Sequence, residues 1–455
     1  MSSGNNKNDR MRKLWVELAL ILNILLVAAC FTAGWMYYYH KKLAVSYLQK
    51  GVIVIALLYI TLYYLLGREY LAFNINTPHK LGIIYGQFLT ALSTDFIMYI
   101  ATFLLMEKFP SVLPMLLILA GQLMTSIIWT LIVHTAYLKT AKPMKTMIIW
   151  DNKGSFDEMY ETYASDKRFD IIGACHVSDC LDNYEPILNG IEVVIIVGVH
   201  SHPRNKILKY CITNGIKMFI MPRVGDIVMS GAKPIHILNF PMSFIEWYNP
   251  SPIYAIIKRL FDIVSSLLML IIVSPLMLVT ALLIKRDGGT VLYKQTRLTR
   301  NGKEFQLLKF RSMKMDAESD GVARLSSGEN DDRITPIGRF IRKHRIDELP
   351  QLINILKGDM SVVGPRPERP EISAQYEKEL PEFSFRLQTK AGLTGLAQVY
   401  GKYNTSPQAK LIMDLQYIAK ANVIEDLSII LATIKVLFQK ESTKGIKKGQ
   451  TTALR

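Results

Sequence analysis

Residues 258–286 read KRLFDIVSSLLMLIIVSPLMLVTALLIKR, and how this stretch meets a membrane decides the layout of the chain. The apolar run Ile263–Ile284 has 22 residues. At about 1.5 Å per residue, a straight helix of that length just crosses a hydrocarbon core of about 30 Å. Basic pairs flank it on both sides, Lys258-Arg259 before and Lys285-Arg286 after. Positive flanks mark the cytoplasmic face, so two of them favour a hairpin that enters and leaves by that face. Ser274-Pro275 lies near the middle, and a proline removes one N–H and crowds the preceding turn, which favours a bend there. Each arm would then be about 15–18 Å long. The alternative is a kinked helix that spans.

Upstream lie four more apolar runs, about Leu14–Tyr38, Val45–Leu66, Leu81–Met106 and Val112–Leu138. Lys7, Arg10, Arg12 and Lys13 precede them, and Lys139, Lys142 and Lys145 follow. Both ends are therefore expected in the cytoplasm, and four crossings agree. Lys41, Lys42 and Lys50 in the first outer loop run against this pattern. The first run is long, lacks a small-residue cleavage site and is followed by others, so a cleavable signal peptide is not expected. Asp95 sits within the third run. An intramembrane acid points to function, with an interhelical hydrogen bond or a protonated acid as the plainer account.

Residues 141–250 change character. Short apolar strands, Thr146–Trp150, Phe169–Ala174, Glu192–Val197 and Lys217–Met221, alternate with helical stretches. That alternation predicts a parallel, doubly wound α/β domain. Its first turn, Asp151-Asn152-Lys153-Gly154-Ser155, carries one glycine, so the domain is Rossmann-like without the Gly-rich loop that lets backbone approach a pyrophosphate. Pro250 and Pro252 mark its expected exit. The four cysteines, Cys30, Cys175, Cys180 and Cys211, lack the spacing of a zinc site and read as free thiols.

Lys and Arg outnumber Asp and Glu by 16, which points to anionic partners: nucleic acid, lipid head groups or phosphorylated small molecules. No nucleic-acid module is recognisable, so no nucleic-acid partner is expected. Residues 286–440 hold the densest chemistry. Arg339-Phe340-Ile341-Arg342-Lys343-His344-Arg345-Ile346-Asp347-Glu348-Leu349-Pro350 sets two adjacent carboxylates after four fixed positive charges. Helical spacing follows, which places Asp347 at an N-cap and Glu348 in the first turn. Capping alone explains such a pair in many proteins. Here the neighbouring cations suit transferring phosphates, and a carboxylate pair can hold a divalent metal or attack phosphorus. Lys309-Phe310-Arg311-Ser312-Met313, Gly364-Pro365-Arg366-Pro367 and the small turn Gly392-Leu393-Thr394-Gly395 add candidates for substrate contact. Residues 441–455 read as a mobile basic tail.

Taken with Lys258-Arg259-Leu260-Phe261-Asp262, Ser274-Pro275, Gln295, Arg297 and Lys357-Gly358-Asp359-Met360-Ser361, these motifs over about Pro252–Leu437 resemble the bacterial sugar transferases, the monotopic phosphoglycosyl transferases. The upstream portion resembles the large members of that family. The resemblance implies a fold of four transmembrane helices (1–140), an α/β domain (141–250), a re-entrant helix (251–285) bent at Ser274 and Pro275, and a cytoplasmic mixed α/β catalytic domain (286–440). It implies Asp347 as nucleophile on a UDP-sugar, Glu348 as Mg²⁺ ligand, and undecaprenyl phosphate as acceptor. The implied product is a lipid-linked diphosphate sugar that starts exopolysaccharide, capsule or O-antigen assembly at the inner membrane.

Lys309, Arg311, Arg342, Arg345, Arg366 and Lys402 are the expected substrate-binding cations, with Arg342 matching a family arginine associated with phosphate. Membrane lipids, a second copy of the chain and polysaccharide-assembly proteins are the other expected partners. Two departures concern the sugar more than the reaction: Lys390-Ala391-Gly392 stands where the family has Lys-Pro-Gly, and Gln398-Val399-Tyr400-Gly401-Lys402 where it has Gln-Val-Asn-Gly-Arg. Lys402 supplies a point charge in place of a fork. Two other classes compete: an idle membrane scaffold, which needs no intact dyad, and a polytopic transferase, which needs several intramembrane acids.

Overall fold

The computed structural model describes residues 3–43, 49–75, 80–140, 142–163, 166, 168–246, 248–286, 288–315, 317, 331, 333–401 and 405–437. The chain forms two compact units, Met1–Met221 and Pro222–Arg455. It is mostly helical, with apolar helices near the N-terminus and a mixed α/β arrangement toward the C-terminus. Residues 441–455 lie outside the described residues.

The first unit opens with helices Ser3–Tyr38, Gln49–Glu69, Lys80–Met106 and Leu113–Thr140. Each contains a stretch long and apolar enough to cross a membrane. Their inward faces bury Phe31, Trp35, Tyr59, Tyr63 and Met98 together. Asp95 is buried among them, and Gln122 Nε2 donates to its Oδ1 at 3.2 Å and to the Tyr59 hydroxyl at 3.0 Å. The plainer account of Asp95, a bond between helices, is therefore present.

A four-stranded parallel sheet follows. Its order is Phe169–His176, Met144–Trp150, Val193–Val197, Lys217–Ile220. Every residue of Val193–Val197 is buried, as expected for an inner strand covered on both faces. Gly154 lies inside the helix Lys153–Tyr163. The close approach at this edge is made by Gly198 at φ +66°, where a Cβ would stand 3.2 Å from Asn152. All four cysteines are free.

In the second unit, the helix Val224–Ser230 packs Ile227 against Val363, Ile372, Tyr376 and Leu411. The hairpin Lys233–Ile237/Phe240–Phe244 belongs to the same unit. Next comes a 35-residue helix, Pro252–Arg286, with Pro275 inside it and no interruption. The amide of residue 275 would have served the Ile271 carbonyl. Proline has none, and Ser274 Oγ donates to that oxygen instead at 2.8 Å. The serine thus repairs what the proline removes, and the helix continues.

This helix is fastened near its start by its own charged motif and at its far end by Arg311. Lys258 Nζ reaches Asp426 at 2.9 Å and donates to Tyr417 at 3.1 Å. Arg259 donates to the Ile355 and Leu356 carbonyls at 2.7 and 2.8 Å. Asp262 Oδ1 accepts from Ser361 Oγ at 3.0 Å and the Val362 amide at 2.9 Å. At the far end Arg311 donates to the carbonyls of Ile284 and Gly288.

Small sheets complete the unit: antiparallel Leu292–Leu298 with Glu304–Phe310, and parallel Met360–Val363 with Ala391–Thr394. Gly392 and Gly395, expected to admit a ligand, admit backbone instead. A Cβ on either would collide with Gly364, and the Gly364 amide donates to the Thr394 carbonyl at 2.9 Å.

Candidate active site

The helix Pro336–Lys343 starts at Thr335, whose side chain accepts from the Gly338 amide at 3.0 Å. Gly338 lies so close to the Ser312 carbonyl that any Cβ would clash, which pins this helix to the Lys309–Met313 segment. The helix stops at His344, and Arg345 turns the chain through the left-handed region at φ 54°. A 3-10 turn, Ile346–Glu348, then presents both carboxylates. The next helix, Gln351–Lys357, has Pro350 at its N-cap and no side-chain cap. The expected capping role of Asp347 is thus overturned: the dyad lies within a 3-10 turn of its own, and the helix it was expected to start begins after Pro350.

The two carboxylates differ sharply. Glu348 Oε1 meets Lys309 Nζ at 3.1 Å and Arg366 Nη2 at 2.8 Å, and its Oε2 lies 3.7 Å from Arg345. Burial pushes this carboxyl up, but Arg366, Lys309 and Arg345 together hold it well below the usual carboxylate range. Asp347 is 9% exposed and accepts no hydrogen bond among the described residues. Burial raises its pKa. Lys309 opposes the rise, the Glu348 charge adds to it, and Arg342 and Arg366 oppose it. The site therefore holds one carboxylate clamped in an ionic cage and one carboxylate left open beside it.

The supports are traceable. Asn354 bridges the helix after the dyad to the strand carrying Lys309. Its Oδ1 accepts from the Leu308 amide at 3.0 Å and its Nδ2 donates to the Gln306 carbonyl at 2.8 Å. Arg259 holds the last carbonyls of that same helix. Of the expected cations, Lys309, Arg345 and Arg366 touch Glu348, and Arg342 acts on Asp347 through its charge. Arg311 points elsewhere, into the end of the long helix. Ser274 and Pro275 lie within that helix, and Lys402 lies outside the described residues.

Sequence reasoning missed a second ionic cluster behind Arg366. Glu368 lies 3.8 Å from each of Arg297, Arg386 and Lys410, and Arg386 pairs with Asp414 at 2.7 Å. Only the position of Glu368, one residue past Pro367, could have hinted at it.

A carboxylate without hydrogen-bond partners among the described residues, set among fixed cations, is a centre suited to phosphoryl chemistry. The comparisons agree with that class. Residues 253–440 match the family model for bacterial sugar transferases. Over 192 residues the chain is 41% identical to a UDP-N-acetylgalactosamine-undecaprenyl-phosphate N-acetylgalactosaminephosphotransferase of Aeromonas hydrophila, covering 41% of this chain and 45% of the relative. It is 40% identical to a UDP-glucose:undecaprenyl-phosphate glucose-1-phosphate transferase of Caulobacter vibrioides, covering 41% of this chain and 71% of the relative. It is 42% identical to the exopolysaccharide production protein PSS of Rhizobium leguminosarum bv. phaseoli, covering 39% of this chain and 94% of the relative. This chain belongs to the bacterial sugar transferase family. It spans about half the length of several curated relatives it matches, the Aeromonas protein among them.

Proposed function

We propose that this protein transfers a hexose-1-phosphate from a UDP-sugar to undecaprenyl phosphate and so starts exopolysaccharide, capsule or O-antigen assembly. The observation that carries this is the open Asp347 carboxylate beside the caged Glu348. In the first half-reaction an Asp347 oxygen attacks the β-phosphorus. The bond between that phosphorus and the bridging oxygen breaks, and the oxygen leaves with UMP. In the second, a phosphate oxygen of undecaprenyl phosphate attacks the aspartyl phosphorus and frees the Asp347 carboxylate, giving a lipid diphosphate sugar. Arg342, Lys309 and Arg366 stabilise the charge that builds on the transferring phosphate.

Among the described residues no cluster of three or more acidic, His or Cys groups forms a metal cage. A carboxylate pair does suit Mg²⁺, which commonly takes one or two carboxylates and completes its shell with substrate phosphates and water. Glu348 is the proposed ligand, and the ion would neutralise diphosphate charge.

The proposed layout has four crossings in 1–140, the α/β domain in 141–250, a re-entrant helix in 251–285 that kinks near Ser274-Pro275 without losing its helical turns, and the catalytic domain in 286–440 on the cytoplasmic face of the inner membrane. The named relatives use N-acetylgalactosamine or glucose donors, so a panel of UDP-sugars is the direct test. With undecaprenyl phosphate and Mg²⁺ present, one member should release UMP. With the acceptor left out, the protein should gain the mass of one hexose phosphate at Asp347. Absence of both signals across the panel refutes the proposal.

A further inference from the structure

The loop Gly364-Pro365-Arg366-Pro367-Glu368 delivers Arg366 to Glu348, and its backbone is held in an unusual way. Four consecutive carbonyls each accept a hydrogen bond, from three separate parts of the unit. Pro365 O accepts from the Gly392 amide at 2.8 Å and Glu368 O from the Leu298 amide at 3.0 Å. The two between them accept from arginines: Arg366 O from Arg386 Nη2 at 2.8 Å, and Pro367 O from Arg297 Nη1 at 3.0 Å.

The two prolines fix their own φ and restrict the residues before them to extended backbone. Little freedom then remains except rotation of the Arg366 peptide, and its carbonyl is the handle on that rotation. Arg386 grips this handle while being gripped itself. Its Nε donates to Asp414 at 2.8 Å, its Nη2 lies 2.7 Å from the same carboxylate, and both side chains are almost fully buried. Its guanidinium also lies 4.9 Å from the Phe383 ring centre. Neither Arg386 nor Asp414 contacts the dyad.

We infer that Arg386, oriented by Asp414, is a positioning residue that fixes the Arg366 peptide so that the Arg366 guanidinium meets Glu348 and the transferring phosphate. This rests on the transferase function proposed above. The fork is essential to it: one planar group serves Asp414 and the Arg366 carbonyl at once, which a lysine ammonium, compact and on a flexible stem, cannot reproduce in the same geometry. Bonding the four carbonyls from Pro365 to Glu368 to donors also leaves none of those oxygen dipoles bare.

The test is a double-mutant cycle on the full-length protein, with rates expressed per site that forms the phospho-sugar adduct. Arg386→Lys should lower kcat about thirtyfold while KM for the UDP-sugar stays near that of wild type, the pattern of lost orientation. In an Arg366→Ala background the same change should cost almost nothing, because the group being oriented is gone. A structural role alone would reduce the number of active sites without changing the rate per site, and would act equally in both backgrounds. Additive effects, or an unchanged rate per site, overturn the positioning role while leaving the transferase function intact. A wild-type protein that releases no UMP overturns both.

Discussion

The parallel sheet of the first unit and the region around the dyad satisfy their backbones by opposite means. In the sheet, backbone pairs with backbone along ladders, one of them shifted between Thr146 and Met147, and the strand Val193–Val197 is wholly buried. Around the dyad the ladders are short, and arginine side chains serve the carbonyls that ladders leave over. Arg259 takes two, Arg311 takes two, and Arg297 and Arg386 take one each. Part of the basic surplus that pointed to anionic partners is thus internal framework.

The comparison breaks most visibly at the dyad itself. Asp347→Asn should lower UMP release about a thousandfold, or roughly 4 kcal/mol of transition-state stabilisation. It should leave the melting temperature nearly unchanged, because the carboxylate accepts no hydrogen bond among the described residues and burial already disfavours its charge. Near wild-type turnover would remove Asp347 from the chemistry. The sheet should behave the other way. Ile196→Ala should cost about 3 kcal/mol of stability through lost packing and a residual cavity. Turnover per folded molecule should hold, and a rate that fell further than the folded fraction would show that the sheet does more than support.

Arg311→Met separates the two uses of arginine. It leaves the Ile284 and Gly288 carbonyls without their donor and should cost about 2 kcal/mol in chemical denaturation. Its rate per folded molecule should stay within about threefold of wild type, a change near 0.6 kcal/mol. A tenfold fall at full folding would return Arg311 to the substrate.

The smallest effect is a pH shift. The Asp347 anion is lost as pH drops through its raised pKa, and Arg342 opposes that rise. Removing Arg342 raises the pKa further, so Arg342→Met should move the acid limb of adduct formation to higher pH. A limb that stays or moves lower would show that the two groups are not coupled.

The same contrast explains what could be read from sequence. The inner strand Val193–Val197 appears as an apolar run because it is buried throughout, and the outer strands Phe169–His176 and Lys217–Ile220 appear as short runs because burial alternates along them. The dyad and its cations appear as a motif because they are close in sequence. Arg386 with Asp414, and Asn354 with Leu308, are separated by 28 and 46 residues and join single atoms, so they leave no pattern at all. Gly392 and Gly395 were legible as tight positions, but not as tight against Gly364 rather than a ligand. The N-cap assignment of Asp347 failed because a short 3-10 turn ahead of the helix leaves no periodic trace to tell it from the helix's own first turn.

The arginine clamps on the long helix have a mechanical consequence. Arg259 ties one end to the helix that follows the dyad, and Arg311, two residues past Lys309, holds the other. Helix and carboxylates are thereby parts of one stiff lever. In the proposed disposition the depth at which the helix floats sets the height of Asp347 above the lipid phosphates, so bilayer thickness becomes a ruler for the reaction. The same enzyme reconstituted in short-chain and long-chain lipids should then differ in its second half-reaction, transfer to the lipid, and not in its first.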